Sequence, residues 1–205
     1  MVRWLIASLF LGALAAAGAP SLADDSLQDA GPVPVPPLSR AEINEGWISL
    51  FDGRTLYGWE PNGDRNWSVR GGTIVADHGK PGLLLTTYEL VDYEFRCDYR
   101  LEMGGDGRIF LRTPFSPKNP AKDCYELSLS DSDPAFPTGS IVGRKKAQER
   151  FEGEGVWMRL SVRVEGNRIT ARLNDRPLID FTDDSSDRVR SGRIGLQKKS
   201  AVEFR

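Results

Sequence analysis

From Trp47 to Phe204 the apolar residues recur with a period of two, in short runs separated by turn residues, and no run sustains a helical period. In YEFRCDYRL, Tyr93, Phe95, Cys97, Tyr99 and Leu101 alternate with Glu94, Arg96, Asp98 and Arg100. Met158, Leu160, Val162 and Val164 form a second such set, and Ile169, Ala171 and Leu173 a third. Asp52-Gly53, Arg70-Gly71-Gly72, Glu165-Gly166-Asn167 and Asn174-Asp175 fall between runs, where tight turns need residues that tolerate positive φ. Ten or more short strands without helical crossovers predict an antiparallel β-sandwich.

The stretch from Gly104 to Asp131 carries most of the candidate chemistry. Ile109 and Leu111 alternate with Phe110 and Arg112, while Tyr125, Leu127 and Leu129 alternate with Glu126, Ser128 and Ser130. If these two runs share a sheet, burying the apolar sets on one side places Arg112 and Glu126 together on the other, within reach of a charge-assisted hydrogen bond. The Tyr93 run would extend the same polar face with Arg96 and Asp98. That face is either a solvated outer sheet surface or a concave binding surface. Trp59 is a candidate stacking platform for a sugar ring, against the competing assignment of a core or rim tryptophan.

The N-terminus reads differently. Arg3 precedes an apolar run from Trp4 to Ala17 and a small-residue segment ending Ser21-Leu22-Ala23, the pattern of a leader cleaved before Asp24. The run is short for a membrane span, so export to the periplasm or medium is expected, without a stable membrane anchor. Residues 24–40 include VPVPP and form a Pro-rich linker, and residues 41–205 form one domain. Acidic and basic residues number 29 and 27, which offers no field for nucleic acid and favours small or neutral partners.

Cys97 and Cys124 are expected to be buried free thiols, since the assumed strand order places them too far apart for a disulfide. The sole histidine, His78, has no nucleophile motif beside it, which leaves carboxylates and arginines as the usable catalytic groups. Asp131 and Asp133 are the one acidic loop able to approach a calcium ion, although such loops are usually solvated; no metal or cofactor is expected.

LFDGRTLYGW, YEFRCDYRLEMGGDGRIFLR, YELSLSD, TGSIVG, GNRITARLND and GRIGLQ occur in the order and approximate spacing found in the 3-keto-disaccharide hydrolase domain. From Gly46 onward the chain resembles that family. The resemblance implies a concanavalin A-like jelly-roll and activity on glycosides with a ketone at C3. A C3 carbonyl acidifies the hydrogen on C2, so a carboxylate base forms an enolate that expels the C1 aglycone before water adds back. Glu126 is the expected base and Arg112 the expected enolate stabiliser, with Arg96, Asp98, Asp106, Ser128, Gln197, Lys198 and Trp59 as candidate sugar contacts.

The chain departs from the family pattern at three places. Asp106-Gly107-Arg108 replaces Asn-Ser-Gly, Lys198-Lys199-Ser200 replaces Asp-His-Gly, and the sequence stops at Arg205 where relatives continue with another strand-like stretch. A shortened last element and an incomplete sequence both fit the third. A carbohydrate-binding sandwich without catalysis, and an envelope protein-interaction domain, remain the alternatives to the enzyme.

Overall fold

The computed structural model describes residues 2–5, 38–64, 66–130, 133–147, 151, 153 and 155–205. Fourteen strands and two short helices follow in the order β1 (Val2–Leu5), α1 (Arg40–Asn44), β2 (Trp47–Ser49), β3 (Trp59–Gly63), β4 (Ser68–Arg70), β5 (Thr73–Ala76), β6 (Gly82–Thr86), β7 (Tyr93–Leu101), β8 (Gly107–Thr113), α2 (Pro120–Asp123), β9 (Tyr125–Ser128), β10 (Met158–Glu165), β11 (Arg168–Leu173), β12 (Arg176–Thr182), β13 (Arg193–Lys198) and β14 (Val202–Phe204). They build an antiparallel jelly-roll β-sandwich. One sheet runs β12-β11-β10-β7-β14-β5-β4, with β1 and β2 beside the N-terminal half of β7, and the other runs β3-β6-β13-β8-β9.

Local sequence explains the hairpins. Gly71 and Gly72 (φ 54° and 75°) turn β4 into β5, and Asn174 and Asp175 (φ 47° and 63°) turn β11 into β12, the positive-φ pairs that match strand twist. Between the sheets lies one core: Tyr93, Phe95, Cys97 and Tyr99 of β7 meet Ile109, Leu111, Tyr125 and Leu127 of β8 and β9, all nearly or fully buried. Each such side chain removed from water stabilises the sandwich by about 1.5–3 kcal/mol.

One expectation changes here, and another holds for a different reason. β7 and β8 are consecutive yet lie in opposite sheets, so the GGDG segment is a crossover between layers and the Tyr93 run does not extend the face of the Ile109 run. The polar faces of β7 and of β8–β9 therefore point away from each other, on the two outer surfaces. Cys97 and Cys124 are buried and free as expected, for a different reason: Cys97 belongs to the central core, and Cys124 to a small apolar cluster with Leu83, Leu85 and Phe110 on the far face of the five-stranded sheet.

The segment read as a leader also contributes to the fold. Val2–Leu5 pairs in parallel with Trp47–Ser49 on one side and Tyr93–Arg96 on the other, filling the edge of β7 that β14 leaves open. Residues 6–37, which include the expected cleavage site and most of the linker, lie outside the described residues. No helix among the described residues is long and apolar enough to cross a membrane.

Candidate functional site

Cross-strand register fixes what shares the outer face of the five-stranded sheet, because directly paired residues project to the same side. One row reads Asn62, Leu83, Gln197, Arg108, Ser128, and the next Glu60, Leu85, Gly195, Phe110, Glu126. Arg108 therefore stands between Gln197 and Ser128, and Phe110 stands opposite Glu126.

Arg108 is the hub of the polar end. Its Nη1 donates to Glu126 Oε2 at 2.7 Å, and its Nε lies 3.9 Å from Asp106 Oδ1. Asp106 also receives Lys199 Nζ at 3.0 Å, and its backbone N–H donates to Ser200 Oγ. Arg108 and Glu126 are each only 8% exposed, so this ion pair is far from a freely solvated surface contact. Among the described residues, Arg108 Nε and Gln197 Oε1 are buried atoms with no hydrogen-bond partner. A guanidinium held between two carboxylates, beside an amide oxygen, supplies one carboxylate able to take a proton and one cation able to receive developing negative charge. Cys124, at the entry to β9, adds no nucleophile, because burial pushes its thiol from 9.0 up to about 12.

The sequence pairing of Arg112 with Glu126 is not what the structure contains. β8 carries a bulge: Thr113 pairs with Arg193 and Phe110 with Gly195, which leaves Leu111 and Arg112 facing the single residue Ile194. Arg112 takes φ 51°, and its side chain leaves the outer face for the rim of the sandwich. Nε and Nη2 donate to Val91 O, Nη1 to Gly166 O and Val189 O, and Nη2 to Asp92 Oδ1, at 2.6–3.0 Å. All five N–H groups are used, and the residue is 1% exposed. Gly192 makes this possible, since a Cβ there would lie 2.3 Å from the Arg112 carbonyl carbon. Arg112 is a clamp on three loops, not a neighbour of Glu126.

Of the remaining candidates, Asp106, Ser128 and Gln197 gather around Arg108, and four do not. Arg96 and Asp98 lie on the outer face of the other sheet, Arg96 stacked 3.7 Å over Trp47 and Asp98 paired with Arg159 Nε at 3.0 Å. Trp59 is a core residue, 6% exposed, whose indole N–H donates to Leu50 O, so it presents no stacking surface. Lys198 is buried on the core side of β13, and its ammonium donates to His78 O and Gly79 O. Arg108 is the residue the sequence reading passed over, although it shares the alternation of Phe110. Among the described residues no cluster of His, Cys, Asp and Glu is arranged to hold a metal ion, and Asp131 lies outside them.

Open grooves among the described residues lie elsewhere. One of about 480 Å³ runs over the other sheet between Arg70, Arg100 and Glu203, and one of about 470 Å³ opens between the layers at Tyr99, Leu129 and Met158.

A family model described as a 3-keto-alpha-glucoside-1,2-lyase-like domain matches residues 46–205. No curated protein sequence matches the chain. Among solved structures it is similar to a "putative glycosyl hydrolase" from Parabacteroides distasonis ATCC 8503, at 21% identity over 82% of this chain and 94% of that one, with a TM-score of 0.71. It is also similar to the carbohydrate-binding module CBM66 from Bacillus subtilis (18% identity, 72% and 92% covered, TM-score 0.51). A Bacillus subtilis protein with a galectin-like fold follows the same architecture (12% identity, 73% and 87% covered, TM-score 0.54). At these identities the structural likeness establishes the fold.

Proposed function

The chain belongs to the 3-keto-alpha-glucoside-1,2-lyase-like family, which makes its function carbohydrate-related, and from that membership we propose that it cleaves 3-keto-glycosides by elimination followed by hydration. Glu126 takes the proton from C2, and the electron pair of that C–H bond becomes an enolate across C2, C3 and the C3 oxygen. Arg108, rather than Arg112, stabilises the enolate oxygen. Collapse of the enolate restores the C3 carbonyl, forms the C1–C2 double bond and breaks the bond from C1 to the glycosidic oxygen, and the proton held by Glu126 passes to that oxygen so that the aglycone leaves as an alcohol. Water then adds across C1 and C2.

The observation that carries this reading is the Arg108–Glu126 contact of 2.7 Å on a sheet face that also gathers Asp106, Ser128 and Gln197. A base with no strong acid partner suits a substrate whose ketone already acidifies the reacting hydrogen. The leader-like N-terminus supports action outside the cytoplasm, in the periplasm or medium, by a mature chain from which cleavage before Asp24 removes β1.

A second reading, a carbohydrate-binding sandwich that does not turn substrate over, is favoured by the burial of both charged groups, each 8% exposed. Incubation with a 3-keto-disaccharide and with its unoxidised parent separates the two. Cleavage of the keto sugar alone supports the enzyme, saturable binding without cleavage supports the binding module, and neither rejects both.

A further inference from the structure

The outer face of the five-stranded sheet is polar at Arg108 and apolar beside it. Phe110 is the directly opposed neighbour of Glu126, and Leu85 and Leu83 continue the surface across β6. Gly195 lets the two larger side chains meet, because a Cβ there would lie 2.9 Å from Leu85 Cδ2 and 3.1 Å from Phe110 Cβ. A solvent-side sheet surface of this kind would normally be wet. Here Leu85 is 0% exposed, Phe110 1% and Leu83 9%.

Residues 114–123 leave this face at one end and return to it at the other. The chain leaves β8 at Thr113 and is tied to the far edge strand by Asn62, whose Nδ2 donates to Phe115 O and Ser116 Oγ. It then returns to Cys124, which joins Leu83, Leu85 and Phe110 in the apolar cluster. This strap buries little of itself: Pro114, Phe115, Ser116, Lys118, Asn119, Ala121 and Lys122 are exposed, and α2 contributes no buried residue. Its other fastenings include the Arg193 guanidinium 5.4 Å from the Phe115 ring, a 3.3 Å bond from Arg144 Nη2 to Lys122 O, and at its two ends the bonds from Thr113 Oγ1 to Pro114 O and from Cys124 Sγ to Pro120 O. The Asp123 carboxylate accepts from the N–H groups of Lys118 and Asn119, which binds the strap to itself rather than to the sheet. A segment with few buried contacts and a self-contained hydrogen-bond set opens at low cost compared with the core.

We infer that the strap of residues 114–123 is a lid over an apolar subsite floored by Leu83, Leu85 and Phe110, which takes an alkyl or aryl aglycone beside Glu126. The inference rests on reading Glu126 as the base. A leaving group next to that carboxylate meets Phe110 at the next strand, and a hydroxyl-rich sugar in that place would be desolvated against Leu and Phe without hydrogen-bond partners. An apolar aglycone can replace the strap's own cover at no such cost. The lid also accounts for the burial of Arg108 and Glu126, since substrate reaches them only when the roof lifts.

The test compares cyclohexyl and methyl 3-keto-glucosides, whose alcohol leaving groups are of similar acidity, and follows amide hydrogen exchange in residues 115–123 with cyclohexanol as the free aglycone. The lid predicts a kcat/KM for the cyclohexyl glycoside about tenfold or more above the methyl one, a ratio reduced several-fold by Leu83→Ser. It also predicts faster exchange in the strap with cyclohexanol, and faster exchange without ligand in Asn62→Ala. Equal kcat/KM for the two glycosides, or strap exchange that cyclohexanol leaves unmoved, overturns it. Failure of the protein to cleave either glycoside rejects the catalytic reading instead, and the exchange measurement then decides the lid alone.

Discussion

Arg112 shows how one backbone angle moves a charged side chain between roles. With a regular period of two it would share the face of Phe110, but the bulge and its φ of 51° send it to the rim, where it binds three carbonyls and Asp92. Removing one partner of a buried ionic network costs about 3–5 kcal/mol, and because solvent already reaches Val91 and Asp92, whose side chain is 42% exposed, Arg112 belongs at the lower end of that range. Arg112→Met should therefore lower the unfolding free energy by about that amount, a large share of a typical domain's 5–15 kcal/mol. Chemical denaturation measures it, and a change below 1 kcal/mol would remove the clamp from the account. The polar alternation of Glu126 and Ser128 was legible in the sequence, while Arg108, two residues before Phe110, was passed over. Their register was not, because the connection from Thr113 to Tyr125 is too long to set the pairing, and nothing local announced the bulge.

At the scale of elements, the hairpins were readable because each depends on two residues with special φ, whereas the assignment of β7 and β8 to different sheets depends on which layer each apolar face meets. The β1 pairing was not readable, because Val2–Leu5 lies within the stretch read as a cleaved leader. Val2–Leu5 occupies backbone positions of β7 from Tyr93 to Arg96 that β14 does not reach. A chain beginning at Asp24 should accordingly melt lower than the full chain, by about 2–8 °C for the loss of 1–2 kcal/mol in a domain of this size. Calorimetry of the two forms decides it, and equal Tm values would mean that β1 adds nothing to the sheet.

For the molecule as a whole, the dry interior sets the response to pH. Burial raises the Cys97 thiol well above its ordinary 9.0 and the Cys124 thiol to about 12, so both stay protonated when folded. The unfolded chain loses these protons from about pH 9 upward, so their contribution is complete below that pH and is lost progressively as pH rises towards 12. Asp183 behaves in the opposite sense. Burial opposes its ionisation, but hydrogen bonds from Ser185 and Tyr125, with the Arg144 charge, hold its pKa below the ordinary 3.8. Its contribution is present above that value and lost as the solution is acidified through the folded pKa. The denaturation midpoint should thus form a plateau from about pH 5 to 9 with a fall on each side, the alkaline fall becoming shallower in Cys124→Ala; a midpoint flat to pH 11 would contradict the sign worked out here.

The sandwich brings a carboxylate and a guanidinium together on one sheet face, and the account stands on that carboxylate taking the C2 proton of a 3-keto sugar. The most direct measurement is turnover of a 3-keto-glycoside, protonated and deuterated at C2, by the wild type and Glu126→Gln, with circular dichroism to confirm the variant's fold. The account predicts a slower reaction of the deuterated substrate with the wild type and a loss of about 10²–10⁴-fold in kcat for Glu126→Gln. A folded Glu126→Gln that turns substrate over at the wild-type rate would contradict it.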